Sequence, residues 1–187
     1  YLNLYNNQLS SNMKSQLKAI EQYKKAGSNG YIKVENINIP VMKGISPEYI
    51  KWGKRFDGKT EVDLNLKKLT DEDVLAIGEL LKTNNTLKTL GLDNNNITDV
   101  QSIGEALKTN NALTRLYLQN DNITDVQSIG ELLKTNNTLE ELYLSNNNIT
   151  DDSGIQSIID GLKTNNTLKS LSLYDNQLSD NMKSQLN

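Results

Sequence analysis

Eleven residues, Leu87-Lys-Thr-Leu-Gly-Leu-Asp-Asn-Asn-Asn-Ile97, constrain this chain more than any other stretch, because the chain says them again. Leu113-Thr-Arg-Leu-Tyr-Leu-Gln-Asn-Asp-Asn-Ile123 and Leu139-Glu-Glu-Leu-Tyr-Leu-Ser-Asn-Asn-Asn-Ile149 share the pattern L-x-x-L-x-L-x-x-N-x-I, with one Asp in place of the Asn. Leu168-Lys-Ser-Leu-Ser-Leu-Tyr-Asp-Asn-Gln-Leu178 is a fourth copy. Between the central leucines Leu90, Leu116, Leu142 and Leu171 the steps are 26, 26 and 29 residues. A period of this size marks one supersecondary unit per copy. No such unit can bury its own apolar face, so the copies must stack into a solenoid.

The spacing inside one copy predicts its conformation. Leu90 and Leu92 alternate, as a half-buried strand requires, and point inward. Asn95 falls where the chain turns away from the strand, and its amide can satisfy backbone groups of the neighbouring turn. Asn147 and Asn176 are its equivalents, with Asp121 as the departure. A carboxylate keeps the acceptors but lacks a donor, so a weaker link is expected at Asp121. Thr98-Asp-Val-Gln101 and Thr124-Asp-Val-Gln127 match the capping box that starts a helix. Val100, Ile103 and Leu107 then face the strands from a short outer helix. Lys-Thr-Asn-Asn follows at Lys82, Lys108, Lys134 and Lys163, polar and turn-prone. The expected architecture is α/β: a parallel concave sheet with convex helices.

On these motifs the segment resembles the leucine-rich repeats, in particular the ribonuclease-inhibitor-like branch. That resemblance implies binding of a partner protein across the concave face, sometimes with occlusion of an enzyme. The Asn-, Lys- and Ile-rich style is also similar to the leucine-rich-repeat effectors of intracellular bacteria, which implies a cytoplasmic protein or one delivered into a host cell.

Composition narrows the chemistry. The 187 residues contain neither Cys nor His, which removes thiol nucleophiles, Ser-His and Cys-His pairs, and ordinary zinc sites. Carboxylate doublets such as Asp151-Asp152 and Glu140-Glu141 sit where helix starts or solvent faces favour acids. No Gly-rich phosphate loop with its Lys is present, since Gly27-Ser-Asn-Gly30 is too short. We therefore expect no enzyme, no cofactor and no metal. A hydrophobic content of 36% and a mean hydropathy of −0.58 are low for a globular enzyme, but suit a thin file of leucines in a polar shell. No apolar run reaches the length of a membrane span, and no leader is seen at the start. Asn-x-Thr triplets at Asn84, Asn96, Asn122, Asn136, Asn148 and Asn165 fall within the repeat's own turns and read as turn chemistry rather than glycosylation.

The net charge of −3 hides a division: residues 1–59 carry 10 basic and 4 acidic side chains, and residues 60–187 carry 10 and 19. Acidic repeats offer no basic stripe for nucleic acid. Residues 1–17 match residues 170–186 at 13 of 17 positions. A longer array, a permuted order and a tandem unit cut within a repeat all account for this. We divide the chain into a partial repeat (1–17), a capping or linking segment (18–59) and the array (60–187). Within the middle segment, Tyr31–Ile39 reads as a strand and Ser46-Pro47 as a helix start. Trp52 and Phe56, the single Trp and Phe, either cap an end of the solenoid or form a separate binding surface. Glu61–Leu69 is a degenerate first copy, with Lys67 in the Asn position. In the copy that begins at Leu139, Asp151–Ile155 lengthens the connection from strand to helix by about three residues.

Side chains flanking the inward leucines must leave the concave sheet. They are Thr89, Gly91 and Asp93; Arg115, Tyr117 and Gln119; Glu141, Tyr143 and Ser145; Ser170, Ser172 and Tyr174. Tyr117 and Tyr143 should be lateral neighbours about 5 Å apart. Tyr and Arg anchor many interfaces because they bury much area and keep a polar handle, although Tyr also simply favours strands. The expected partner-binding set is Tyr117, Tyr143, Tyr174, Arg115, Asp93, Gln119, Glu141 and Ser145. The rival reading is a structural module that self-associates through its matching terminal repeats.

Overall fold

The computed structural model describes residues 52–186, apart from 54, 151 and 152. The partial repeat 1–17, the strand at Tyr31–Ile39, the helix start at Ser46 and the Asp151-Asp152 pair lie outside the described residues. Five short strands alternate with five helices among the described residues: β1 (Glu61–Asp63), α1 (Asp71–Leu81), β2 (Thr89–Gly91), α2 (Gln101–Leu107), β3 (Arg115–Tyr117), α3 (Gln127–Leu133), β4 (Glu141–Tyr143), α4 (Ser153–Leu162), β5 (Ser170–Ser172) and α5 (Asp180–Leu186). The strands form one parallel sheet in chain order. Val62, Leu90, Leu116, Leu142 and Leu171 lie side by side across it.

The core is the file that the spacing predicts. Leu90, Leu92, Leu116, Leu118, Leu142 and Leu144 are fully buried, and Val100, Ile103 and Leu107 meet them from α2. Each such side chain contributes about 1.5–3 kcal/mol of burial. At β5 the file is thinner, because Leu171 and Leu173 are only half-buried and α5 buries none of its residues.

The helices approach one another through small residues. A side chain on Gly78 would come within 2.7 Å of the Ser102 carbonyl, and one on Gly104 within 2.5 Å of Ser128 Oγ. Glycine is needed there for close approach. The Ser102 hydroxyl closes the seam by donating to the Val74 carbonyl at 3.1 Å.

Two expectations are corrected and one open alternative is decided. The capping boxes at Thr98 and Thr124 do not form, since α2 and α3 begin two residues later, after Val100 and Val126, without a side-chain cap on either. Asp99 and Asp125 instead accept from the Gln101 and Gln127 amides at 2.7 Å, while Thr98 turns away to donate to Asp71 at 2.6 Å. A capping box does exist at Thr70, with Asp73 as its acid. Next, the three extra residues of the last step extend α4 to 10 residues against 7 in α3, rather than the connection. Three residues are nearly one helical turn, so Ile155 stays buried. Finally, Trp52 and Phe56 form no separate surface. They are buried at 2% and 1% exposure in the same core as the first repeat, and Trp52 donates its indole N–H to Asp73 at 2.7 Å.

Candidate protein-binding face

The sheet register sets two rows of side chains on the concave face. Glu61, Thr89, Arg115, Glu141 and Ser170 form one row, and Asp63, Gly91, Tyr117, Tyr143 and Ser172 the other. Strand spacing of about 4.8 Å then decides which neighbours touch. The Tyr117 and Tyr143 rings stack in parallel with centroids 5.0 Å apart. Beside them Arg115 Nε donates to Glu141 Oε1 at 3.0 Å, and Tyr143 donates its hydroxyl to Glu141 Oε2 at 3.2 Å. The hydrogen bond to Glu141, followed by its charge, raises the Arg115 pKa; partial burial, then Glu141, does the same for the Tyr117 hydroxyl. Four side chains from two adjacent repeats thus form one ordered aromatic and ionic patch.

On the β2 side the patch ends abruptly. Gly91 has no side chain, and the Asn65 amide fills the space, 2.9 Å from where a Gly91 Cβ would stand. At the far side Tyr174 is 61% exposed. Gln119 is half-buried between them.

Two expected members of the set present no free side chain. Asp93 is buried at 9% exposure and its Oδ1 accepts from the Gln119 backbone N–H at 2.8 Å. Burial, the largest cause, pushes its carboxyl above the ordinary range. Ser145 is fully buried, its hydroxyl 2.5 Å from that of Ser172. Both stand two residues beyond the strands, and each is engaged by the next repeat, Asp93 by the Gln119 amide and Ser145 by Ser172. Alternation alone cannot anticipate those contacts.

The sequence reading missed Leu66. It is 73% exposed with φ of 58°, in the left-handed turn position that Asn94, Asn120, Asn146 and Asp175 hold in the other copies. Aligning Glu61–Leu69 on the regular repeats would have shown a Leu where the others carry Asn or Asp. Among the described residues no group of three acids is placed to hold a metal ion, and no helix is long and apolar enough to cross a membrane.

The model of the Leucine Rich Repeat family matches residues 138–162, the β4 repeat and its helix. Among 53 solved chains that match is the leiomodin-1 Actin-Binding Site 2, at 30% identity and a TM-score of 0.63, covering 76% of this chain and 86% of that one. The chain is a leucine-rich-repeat protein. No curated protein sequence matches it. In this leucine-rich-repeat protein the family pattern accounts for the inward leucines and the turn asparagines. The outward residues of the concave strands differ from copy to copy: Thr89, Arg115, Glu141 and Ser170 in one row, and Gly91, Tyr117, Tyr143 and Ser172 in the other.

Proposed function

We propose that this leucine-rich-repeat protein is a non-catalytic interaction module that holds a partner protein on its concave face. The stacked Tyr117–Tyr143 pair braced by Arg115 and Glu141 carries the reading. Aromatic and Arg side chains already fixed in place lose little entropy on binding, and these residue types dominate interface energetics. Tyr174 and Gln119 extend the contact. The resemblance to ribonuclease-inhibitor-like repeats and to effectors of intracellular bacteria supports a cytoplasmic or host-delivered protein that sequesters or inhibits its partner.

Actin is the first partner to test, because the similar leiomodin-1 segment is titled an actin-binding site. Co-sedimentation with filaments and calorimetric titration with monomeric actin should reveal binding. Tyr117→Ala and Tyr143→Ala should then each weaken it by about 1–3 kcal/mol, as interface anchors do. Glu105→Ala on the convex α2 should leave affinity within a factor of about two, since its partner Lys108 is a surface pair. Full binding by the double tyrosine variant would take the site off the concave face. If actin does not bind, the same variants apply to a partner recovered by affinity capture.

A second reading rests on the 13 of 17 identities between residues 1–17 and 170–186. Two near-identical repeats suit self-association of copies of this chain. Light scattering across a concentration series tests it: a mass that stays constant on dilution and concentration excludes this reading.

A further inference from the structure

One buried acid takes no part in the binding face. Asp121 stands in the turn after β3, at the position that Asn95, Asn147 and Asn176 hold in the other regular repeats. Its Oδ1 accepts from the backbone N–H groups of Asn95 at 2.9 Å and Ile97 at 3.3 Å, which ties the β2 repeat to the β3 repeat. Its Oδ2 is buried without a hydrogen-bond partner, and the residue is 7% exposed.

The repeat register tells what faces that oxygen. Asn147 Nδ2 donates to the carbonyls of Leu144 and Ser145 in its own repeat and of Leu118 in the preceding one. Asn95 Nδ2 does the same with Leu92, Asp93 and Leu64. Position for position, Asp121 Oδ2 stands where those copies hold a donor, and the carbonyls equivalent to theirs are those of Leu118, Gln119 and Leu92. An ionised carboxylate there sets oxygen against oxygen. A protonated one supplies the missing donor.

We propose that Asp121 is a proton-operated link between the β2 and β3 repeats, closed when its carboxyl is protonated and loosened when it ionises. Its surroundings favour the proton. Burial pushes the carboxyl up to about 6, the Ile97 and Asn95 amides pull it down, and Asp93 pushes it further up. Asp93, from the β2 turn, has the same sign of charge. The β4 turn packs on the other side through Asn120 N–H to the Ser145 carbonyl and Ile123 N–H to Asn147 Oδ1, and its residues Ser145-Asn146-Asn147 do not titrate. Ile97, Leu118 and Ile123, its neighbours in the two turns, are fully buried. In a solenoid such a seam opens locally, so ionisation loosens the sheet between Gly91 and Tyr117.

Carboxyl-carbon NMR on the whole isotope-labelled chain tests the link, with Asp121 Cγ assigned through its backbone. A midpoint near 6 is expected; one near 4, the ordinary Asp range, overturns the proposal. Urea unfolding from pH 4 to pH 8 gives a second reading against Asp121→Asn. The ratio of the two unfolding constants should change by about 100-fold, tenfold for each unit of displaced pKa. A ratio independent of pH overturns the proposal as well. Should the variant fail to fold, the NMR midpoint of the natural chain still decides.

Discussion

Two ladders of asparagine side chains run through the repeats, one where the chain leaves each strand and one where it leaves each helix, and only the second is unbroken. At the helix exits Asn84, Asn110, Asn136 and Asn165 each accept two backbone N–H groups of their own turn. Asn110, Asn136 and Asn165 also each donate to two carbonyls of the preceding repeat. At the strand exits Asn95, Asn147 and Asn176 make similar bonds, but Asp121 leaves one oxygen unmatched. A solenoid is stabilised seam by seam, so one substitution in a ladder weakens one seam without dissolving the fold. The weak seam adjoins Tyr117, beside the face that we propose binds a partner.

The largest effect should come from breaking the intact ladder. Asn110→Ala strands two carbonyls and two N–H groups in a position that is 4% exposed. We expect a loss of about 3–4 kcal/mol in urea melts, since each buried unsatisfied group costs about 1–3 kcal/mol and water recovers part of it. Asn147→Ala, in the broken ladder, should cost about 2–3 kcal/mol on the same principle. A loss no greater than that of a surface change would mean that the strand-exit ladder holds nothing.

Repairing the broken rung sharpens the contrast. The Asp121 carboxyl is pushed up to about 6 from an ordinary 3.8, so its contribution is fully present below the lower value and lost as pH rises through the upper one. Asp121→Asn should therefore stabilise the chain by about 2–3 kcal/mol at pH 8 and by little at pH 4. Thermal melts at the two values check the sign.

Leu66→Asn should gain about 1 kcal/mol, because left-handed backbone costs an ordinary L-residue that much and Asn tolerates it better. A loss on chemical denaturation would show that Leu66 packs usefully despite its exposure. The smallest change belongs to Lys134→Ala, whose ion pair with Glu131 at 2.7 Å lies on the surface. It should cost under ~0.5 kcal/mol.

Much of the molecule was legible in the residues alone. The solenoid, the inward leucines, the helix at Thr70–Leu81 and the lateral pairing of Tyr117 with Tyr143 all follow from spacing, because strand and helix periods project side chains to definite sides. The same reasoning failed at Asp93 and Ser145. They share the outward parity of Tyr117 and Tyr143, yet contacts with the next repeat engage them. It failed too at Thr98 and Thr124, where a capping-box pattern lost to a bond with Asp71 at the first site and to Asp99 and Asp125 at both helix starts.

The composition of the Lys-Thr-Asn-Asn tracts predicts turns but not the second asparagine ladder that they form. A turn propensity is a property of a few neighbouring residues, and the sequence alone carries it. The sequence by itself determined the repeat period, the parity of each side chain and the residue types at each turn, because these depend on local geometry. Only the tertiary structure decided which polar groups meet a partner 26 or more residues away, which outward residues the next repeat engages, and that Asp121 Oδ2 has no donor facing it. Those outcomes depend on how adjacent repeats are stacked, and the stacking is set by the summed packing of all of them.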